Sequence, residues 1–98
     1  MKPFRWDHAK NDQLKSRRDI SFEEIVLSIE AGGLFDILQH PNRRKYPNQF
    51  VFVVAVEEYA YLVPFVEEPD YYFLKTIIPS RKATRDYLRS EGDNDEGT

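Results

Sequence analysis

The feature that most constrains this 98-residue chain is a run, Phe50 to Val56, in which every side chain is apolar. Valine and phenylalanine dominate the run, and both residue types favour strands. A strand with one solvated face alternates apolar and polar residues, so seven consecutive apolar positions indicate a strand that is covered on both faces. The sequence therefore predicts a sheet in which 50–56 is an interior strand.

Further strand-like segments surround this run and are separated by turn residues. A turn at Glu57-Glu58 returns the chain along the interior strand, and Pro64, which has no amide hydrogen, predicts a bulge or an open stretch in the returning strand. Lys75 is the only charged residue of the last segment. We expect about four strands, namely Leu34 to Leu38, Phe50 to Val56, Tyr59 to Val66 and Tyr71 to Ile78.

Three segments carry helix signals. Asp7 can cap a mostly exposed first helix, and Ser21 with Glu24 forms a capping box for a second helix that Gly32 ends. Ser80 can cap a short last helix from Arg81 to Arg89. The predicted fold is α+β, with two N-terminal helices, an antiparallel sheet and a short C-terminal helix. Residues 1–90 are expected to form a single domain, and the acidic tail 91–98 is expected to be disordered.

Composition excludes several classes of protein. The chain has no cysteine, which excludes disulfide scaffolds, thiolate zinc sites and thiol nucleophiles. No apolar run approaches the length of about 18 to 20 residues that a membrane span needs. We therefore expect a soluble cytoplasmic protein with no membrane partner. His8 and His40 are the only imidazoles and lie in polar segments, so neither a metal nor a cofactor is expected.

Charge is distributed unevenly along the chain. The net charge is −3, but residues 91–98 hold four acids and no base, so the first ninety residues carry 14 bases against 13 acids. The segment Arg81 to Arg89 alone has four bases against one acid. A nucleic-acid partner is therefore compatible with the body of the chain despite its net negative charge.

The basic residues near the C-terminus are the leading candidates for a site. Lys75 on the last predicted strand and Arg81 and Lys82 on the first turn of the last helix are expected to converge, where a phosphate would be stabilised. Arg85 lies one turn further on. The alternative is that Arg81, Arg85 and Arg89 form a solvated helix face that pairs with acidic strand ends.

A second candidate is the segment from His40 to Asn48. It combines three consecutive cations, ending at Lys45, with the imidazole of His40 and the ring of Tyr46. Single-stranded RNA is recognised by such mixtures of cations and aromatic rings. The same composition also describes many ordinary loops, so both interpretations stay open.

The chain resembles the BrnT-type toxins of bacterial toxin–antitoxin modules. The matching motifs are Phe4-Arg5-Trp6-Asp7 with Lys10, then Ile20-Ser21-Phe22-Glu23-Glu24, and finally Ile77-Ile78-Pro79-Ser80-Arg81-Lys82-Ala83-Thr84. They stand in the order of that family and span residues 4 to about 89. The chain has Arg18-Asp19 where the family usually has His-Gly.

The resemblance implies a fold like that of the RelE-type ribonucleases and an RNA-cleaving activity that arrests translation. It also implies neutralisation by a ribbon-helix-helix antitoxin in a hetero-oligomer. On this hypothesis Lys75, Arg81 and Lys82 are the catalytic candidates of a metal-independent endoribonuclease, acting on free or ribosome-bound RNA, and Arg85, His40, Lys45 and Tyr46 contact the RNA. The sequence offers no obvious general base. The alternative is a non-catalytic module of the same fold that binds a protein partner.

Overall fold

The computed structural model describes residues 1–89, and these residues form an α+β fold of three helices and a six-stranded mixed sheet. The acidic tail predicted for 91–98 lies outside the described residues, as does position 90, the end of the predicted domain. The helices are α1 (His8–Arg18), α2 (Phe22–Ser28) with a wider turn at Ile29–Gly33, and α3 (Arg81–Ala83) with a wider continuation at Thr84–Arg89. The strands are β1 (Phe4–Trp6), β2 (Leu34–Gln39), β3 (Gln49–Val56), β4 (Tyr59–Glu67), β5 (Tyr72–Leu74) and β6 (Ile78–Pro79).

The two N-terminal helices begin at the capping residues that the sequence predicts. A side-chain oxygen of Asp7 accepts the amide hydrogen of Lys10 at 3.0 Å. Ser21 and Glu24 make both bonds of a capping box, each at 3.1 Å, so two amides at the start of α2 are satisfied. Gly32 has a φ of +95°, the left-handed conformation that ends the helical segment.

The sheet has the order β1-β5-β4-β3-β2, with β6 also paired to β4. Within residues 1–89, β1 runs parallel to β5, with Phe4 opposite Tyr72, and the other strand pairs are antiparallel. The predicted antiparallel sheet of about four strands is therefore confirmed only in part, because the sheet has six strands and one parallel pair. Strand β1 was not predictable because three residues are too few to display a period. Its partner also lies far away in the sequence, and local patterns contain no information about such pairing.

The last predicted strand is divided into two. β5 pairs with β4 in a register that continues to Pro64 opposite Lys75, and β6 then pairs with a register shifted by one residue, with Leu62 opposite Ile78. The continuous strand predicted for Tyr71 to Ile78 is therefore wrong, whereas the irregularity predicted near Pro64 is confirmed. Pro64 accepts a bond from the Lys75 amide at 2.8 Å and cannot donate one in return, which weakens the ladder there.

The two faces of the sheet are covered differently. On the helix-side face, the core packs Phe52, Val63 and Leu74 against α1 and α2. On the opposite face, which we call the open face, Val53 and Ala60 pack against Ala83 and Leu88 of the C-terminal helix. Phe52, Val53 and Val54 are all fully buried, so the prediction of a doubly covered interior strand is confirmed.

The C-terminal helix covers only part of the open face. Leu38 of β2 and Ile78 of β6 remain 39% and 40% exposed.

At the β3–β4 turn, Glu57 and Glu58 both have positive φ, at 51° and 66°, as a two-residue hairpin turn requires. Within residues 1–89, no helix has both the length and the apolarity needed to cross a membrane.

Candidate functional site

Lys75 lies on the open face, although it is not in a strand as predicted. Its amide bonds to the carbonyl of Pro64, so the two residues are opposite each other across the ladder. Side chains opposite each other share a face, and Pro64 lies between Val63 and Phe65, which both point into the helix-side core. The exposed Lys75 side chain therefore projects from the open face.

The first turn of the C-terminal helix is fixed to the same face by hydrogen bonds. The Ser80 hydroxyl accepts the Ala83 amide at 3.0 Å, which confirms Ser80 as the N-cap. The hydroxyl of buried Thr84 donates to the Ser80 carbonyl at 2.7 Å and accepts the Ala60 amide at 2.8 Å. These bonds attach the helix start to β4 and hold Arg81, with its exposed side chain, at a defined place beside the sheet.

The structure thus brings three of the predicted residues, Lys75, Arg81 and Lys82, to one side of the sheet. Their charges are not equally available. Lys82 Nζ lies 3.0 Å and Arg85 Nε 3.3 Å from the Asp86 carboxylate. The bond from Lys82 is the main cause of the lowered pKa of Asp86. Within residues 1–89, neither Lys75 nor Arg81 forms an ion pair, so these two are the uncompensated cations of the group.

A shallow pocket of about 300 Å³ lies between the C-terminal helix and the open face. Its apolar floor is formed by Leu38, Val53 and Leu62, and Lys82 and Tyr87 stand at its margin. Asp86, which pairs with Lys82, also lines the pocket, so a ligand there would meet an apolar floor beside an ion pair. The apolar floor suits a ligand with a flat apolar part, such as a base.

The residues predicted in the β2–β3 loop lie elsewhere. The rings of His40 and Tyr46 contact each other at a centroid distance of 4.6 Å, and Lys45 Nζ lies 5.5 Å from the centre of the Tyr46 ring. The loop is at the opposite end of β3 from the β3–β4 turn, and the start of the C-terminal helix lies near that turn, because the Ser80 amide donates to the Ala60 carbonyl at 3.1 Å. The structure therefore does not bring the loop together with Arg81 and Lys82.

Two further arginines, Arg5 and Arg18, were not identified as site residues from the sequence. Arg18 donates to the Ile77 carbonyl at 2.7 Å, so it reaches the irregular segment next to Lys75. Arg5 pairs in register with Phe73 of β5 and lies 4.9 Å from the centre of the Tyr71 ring. The alternation Phe4-Arg5-Trp6 was the sequence signal that could have located Arg5. Because Phe4 and Trp6 point into the core, Arg5 between them points to the opposite face of the sheet.

No group of three or more histidine, aspartate or glutamate side chains within residues 1–89 is arranged to hold a metal ion.

No protein-family model matches the chain, and comparisons with curated proteins and with solved structures likewise give no match.

Proposed function

We propose that the chain is an endoribonuclease toxin similar to the BrnT type, which cleaves RNA and is neutralised by a ribbon-helix-helix antitoxin in the cytoplasm. The observation that carries the proposal is the placement of Lys75, Arg81 and Lys82 on one open sheet face. RNA cleavage needs positive charge where the phosphate becomes more negative in the transition state. The uncompensated cations Lys75 and Arg81 supply that charge.

The proposed reaction is an attack of the 2′-oxygen of the RNA on the adjacent phosphorus. The 2′-oxygen loses its proton, the new oxygen–phosphorus bond forms, and the bond to the 5′-oxygen breaks after that oxygen gains a proton. Arg81 and Lys82 stabilise the phosphorane, Lys75 donates the proton to the leaving oxygen, and Arg85 holds a neighbouring phosphate. A base of the ribosome accepts the first proton. The proposed mechanism uses no metal and no cofactor.

The antitoxin is proposed to cover the same face. An acidic segment with apolar anchors would neutralise Arg81 and fill the pocket floored by Leu38, Val53 and Leu62. Such a segment blocks RNA from the cations by charge and by occupying space. The complex is a hetero-oligomer of toxin and antitoxin.

A second candidate function is a non-catalytic module that binds a protein partner through this face. The observation that favours it is that Lys82 and Arg85 both contact Asp86, whose single negative charge offsets one of their two positive charges and so reduces the charge available to a phosphate. Both functions predict a partner that covers the pocket. Only the ribonuclease function predicts that cellular RNA is degraded.

The decisive experiment is induced expression in bacteria, with measurement of growth and of RNA integrity. The parent chain is expected to arrest growth and degrade RNA, and R81A/K82A is expected to do neither while keeping the parent melting temperature. R17A, which removes an exposed cation of α1, is the control and should behave like the parent. Absence of arrest by the parent favours the binding module. Full toxicity of the folded double variant shows that the site assignment is wrong.

A further inference from the structure

We propose that the β2–β3 loop is a second, separate binding site for single-stranded RNA, in which Arg43 and Arg44 contact phosphates and Phe50 stacks on a base. The choice of RNA as the ligand rests on the proposed function. The residues of the site come from a pocket of about 310 Å³ at the base of the loop. This pocket is lined by Gln39, Arg43, Arg44, Tyr46, Gln49 and Phe50.

The loop is held in one conformation by its own hydrogen bonds. Asn42 is the central residue: its amide donates to His40 Nδ1 at 3.0 Å, its carbonyl accepts the Tyr46 amide at 3.0 Å, and its side-chain oxygen accepts the Lys45 amide at 3.2 Å. The amide of His40 also donates to the Gln49 carbonyl at 3.1 Å, which closes the base of the loop. The cations are therefore presented by an ordered backbone, so binding costs less conformational entropy.

These contacts give His40 and Tyr46 a structural role in the loop instead of the direct contact with RNA that the sequence suggested. Each ring faces the other, and the Nδ1 atom of His40 is already used by the Asn42 amide. Both residues therefore shape the loop. In this proposal they are positioning residues, and the neighbouring arginines make the direct contacts with RNA.

The cations of the loop are unpaired within residues 1–89, and Glu67, whose amide donates to the Asn48 carbonyl at 2.8 Å, pairs with Lys2 instead. The segment 37–56 contains no aspartate or glutamate, and within residues 1–89 none of Arg43, Arg44 and Lys45 forms an ion pair. Arg43 Nη1 donates to the Gln39 side-chain oxygen at 2.7 Å, so its guanidinium is held at the pocket wall. Arginine guanidinium groups match the geometry of phosphate oxygens, which makes phosphate the fitting ligand.

The pocket also presents an aromatic surface. The half-buried ring of Phe50 stacks on Phe65, with a centroid distance of 5.6 Å and an interplanar angle of 24°. Phe65 supports the Phe50 ring from within the core, and the pocket that Phe50 lines is open to the solvent. Paired bases in a duplex cannot stack on such a ring, so the combination of arginines and Phe50 favours a single strand.

The loop site is distinct from the cations of the C-terminal helix. Phe50 and its cross-strand partner Gln39 lie on the helix-side face, whereas Lys75 lies on the open face. Contacts in the loop therefore add affinity for the RNA strand and take no part in bond cleavage. Binding and cleavage are then separable by mutation.

The test is fluorescence anisotropy of a fluorescein-labelled single-stranded RNA of twelve nucleotides with the full chain at several salt concentrations. R43Q/R44Q is expected to weaken binding at least 10-fold and to reduce the slope of log affinity against log salt by about 1.4, since each lost phosphate contact contributes about 0.7. K10Q/R17Q removes two cations of α1 and should leave both quantities unchanged. F50L is expected to weaken binding about 5-fold or more without changing the slope.

Three results would overturn the proposal: no binding by the parent, unchanged affinity and slope in R43Q/R44Q, or tighter binding of a duplex than of the single strand. Thermal melts establish that each variant is folded. If the parent degrades RNA in cells while R43Q/R44Q binds RNA normally, only the loop site is wrong. If R43Q/R44Q loses RNA binding while the parent causes no RNA loss, only the proposed ribonuclease function is wrong.

Discussion

The Tyr87 hydroxyl donates to the Asp36 carboxylate across 2.7 Å and so connects the C-terminal helix to the edge strand β2. Asp36 lies 51 positions earlier in the chain. This bond is the main cause of the raised pKa of Tyr87, because the carboxylate stabilises the protonated phenol. The contact closes one side of the pocket on the open face.

Replacement of Tyr87 by Phe is expected to lower the free energy of unfolding by about 0.5–1.5 kcal/mol at pH 8. The pKa of Tyr87 is raised in the folded chain, so this stabilisation is complete below the unfolded tyrosine pKa of about 10 and is lost as pH rises through the folded pKa. The difference between parent and Y87F should therefore shrink at strongly alkaline pH. Urea unfolding at pH 8 and at a pH above the folded pKa of Tyr87 measures the difference in unfolding free energy between parent and Y87F. Y71F is the control. A constant difference would contradict the assignment.

Replacement of Asn11 by Ala is expected to cost about 1–3 kcal/mol, because the buried amide makes two bonds between α1 and α2. Its oxygen accepts the Phe22 amide and its nitrogen donates to Glu23, both at 2.8 Å. The second bond lowers the pKa of Glu23, so its contribution is present above pH 4.5 and is lost as pH falls through the folded pKa. Urea unfolding at pH 7 measures the cost of the substitution, and a second measurement at pH 3 tests whether that cost becomes smaller when Glu23 is protonated. The exposed residue Asn48 provides the control N48A, which should cost less than about 0.5 kcal/mol.

Replacement of Phe52 by Ala is expected to cost about 3–5 kcal/mol, since it leaves a cavity in the core. The Phe52 ring is fully buried and lies parallel to the Phe65 ring at a centroid distance of 3.8 Å. Its cross-strand neighbour Ile37 is 47% exposed, so the control I37A should cost less than about 1 kcal/mol. Equal melting temperatures of the two variants would show that β3 is not the centre of the core.

Replacement of Glu57-Glu58 by Asn-Gly is expected to stabilise the chain by about 0.5–1 kcal/mol, because both positions have positive φ in a two-residue turn. The matched control, E57Q/E58Q, removes the same two charges and keeps residues that disfavour this conformation. Thermal or urea unfolding compares the two variants. If the glutamine pair gives the same gain, charge repulsion and not backbone conformation limits the turn.

Local signals in the sequence were sufficient for the helix starts and for the interior strand. Ser21 and Glu24 were identifiable because a capping box lies within four consecutive residues, and 50–56 because burial on both faces removes polar residues. The pairing of Phe4 with Tyr72 could not be predicted, because a three-residue strand has no pattern and its partner is distant in the sequence. The position of β1 in the sheet depends on tertiary contacts, which local sequence patterns do not contain.

The candidate site was predictable to a similar extent. The N-cap at Ser80 predicted Arg81 on a first turn, which the structure confirms, and Lys75 and Arg81 both lie on the open face, although Lys75 is outside the strand predicted for it. Two features required the structure: the attachment of Lys82 and Arg85 to Asp86, and the approach of Arg18 to the Ile77 carbonyl. Both depend on side-chain positions, which sequence spacing does not determine.

Trp6 is the only tryptophan of the chain, and its ring is stacked on Phe22 at a centroid distance of 5.5 Å. Its indole therefore senses the docking of β1 against α2. Tryptophan emission follows this local environment, whereas far-ultraviolet circular dichroism follows the backbone as a whole. The parallel strand β1 has three residues and a single neighbour in the sheet, so its detachment should appear as a red shift of emission at lower urea than the loss of ellipticity. The chain thus contains its own optical probe for the opening of its N-terminal strand.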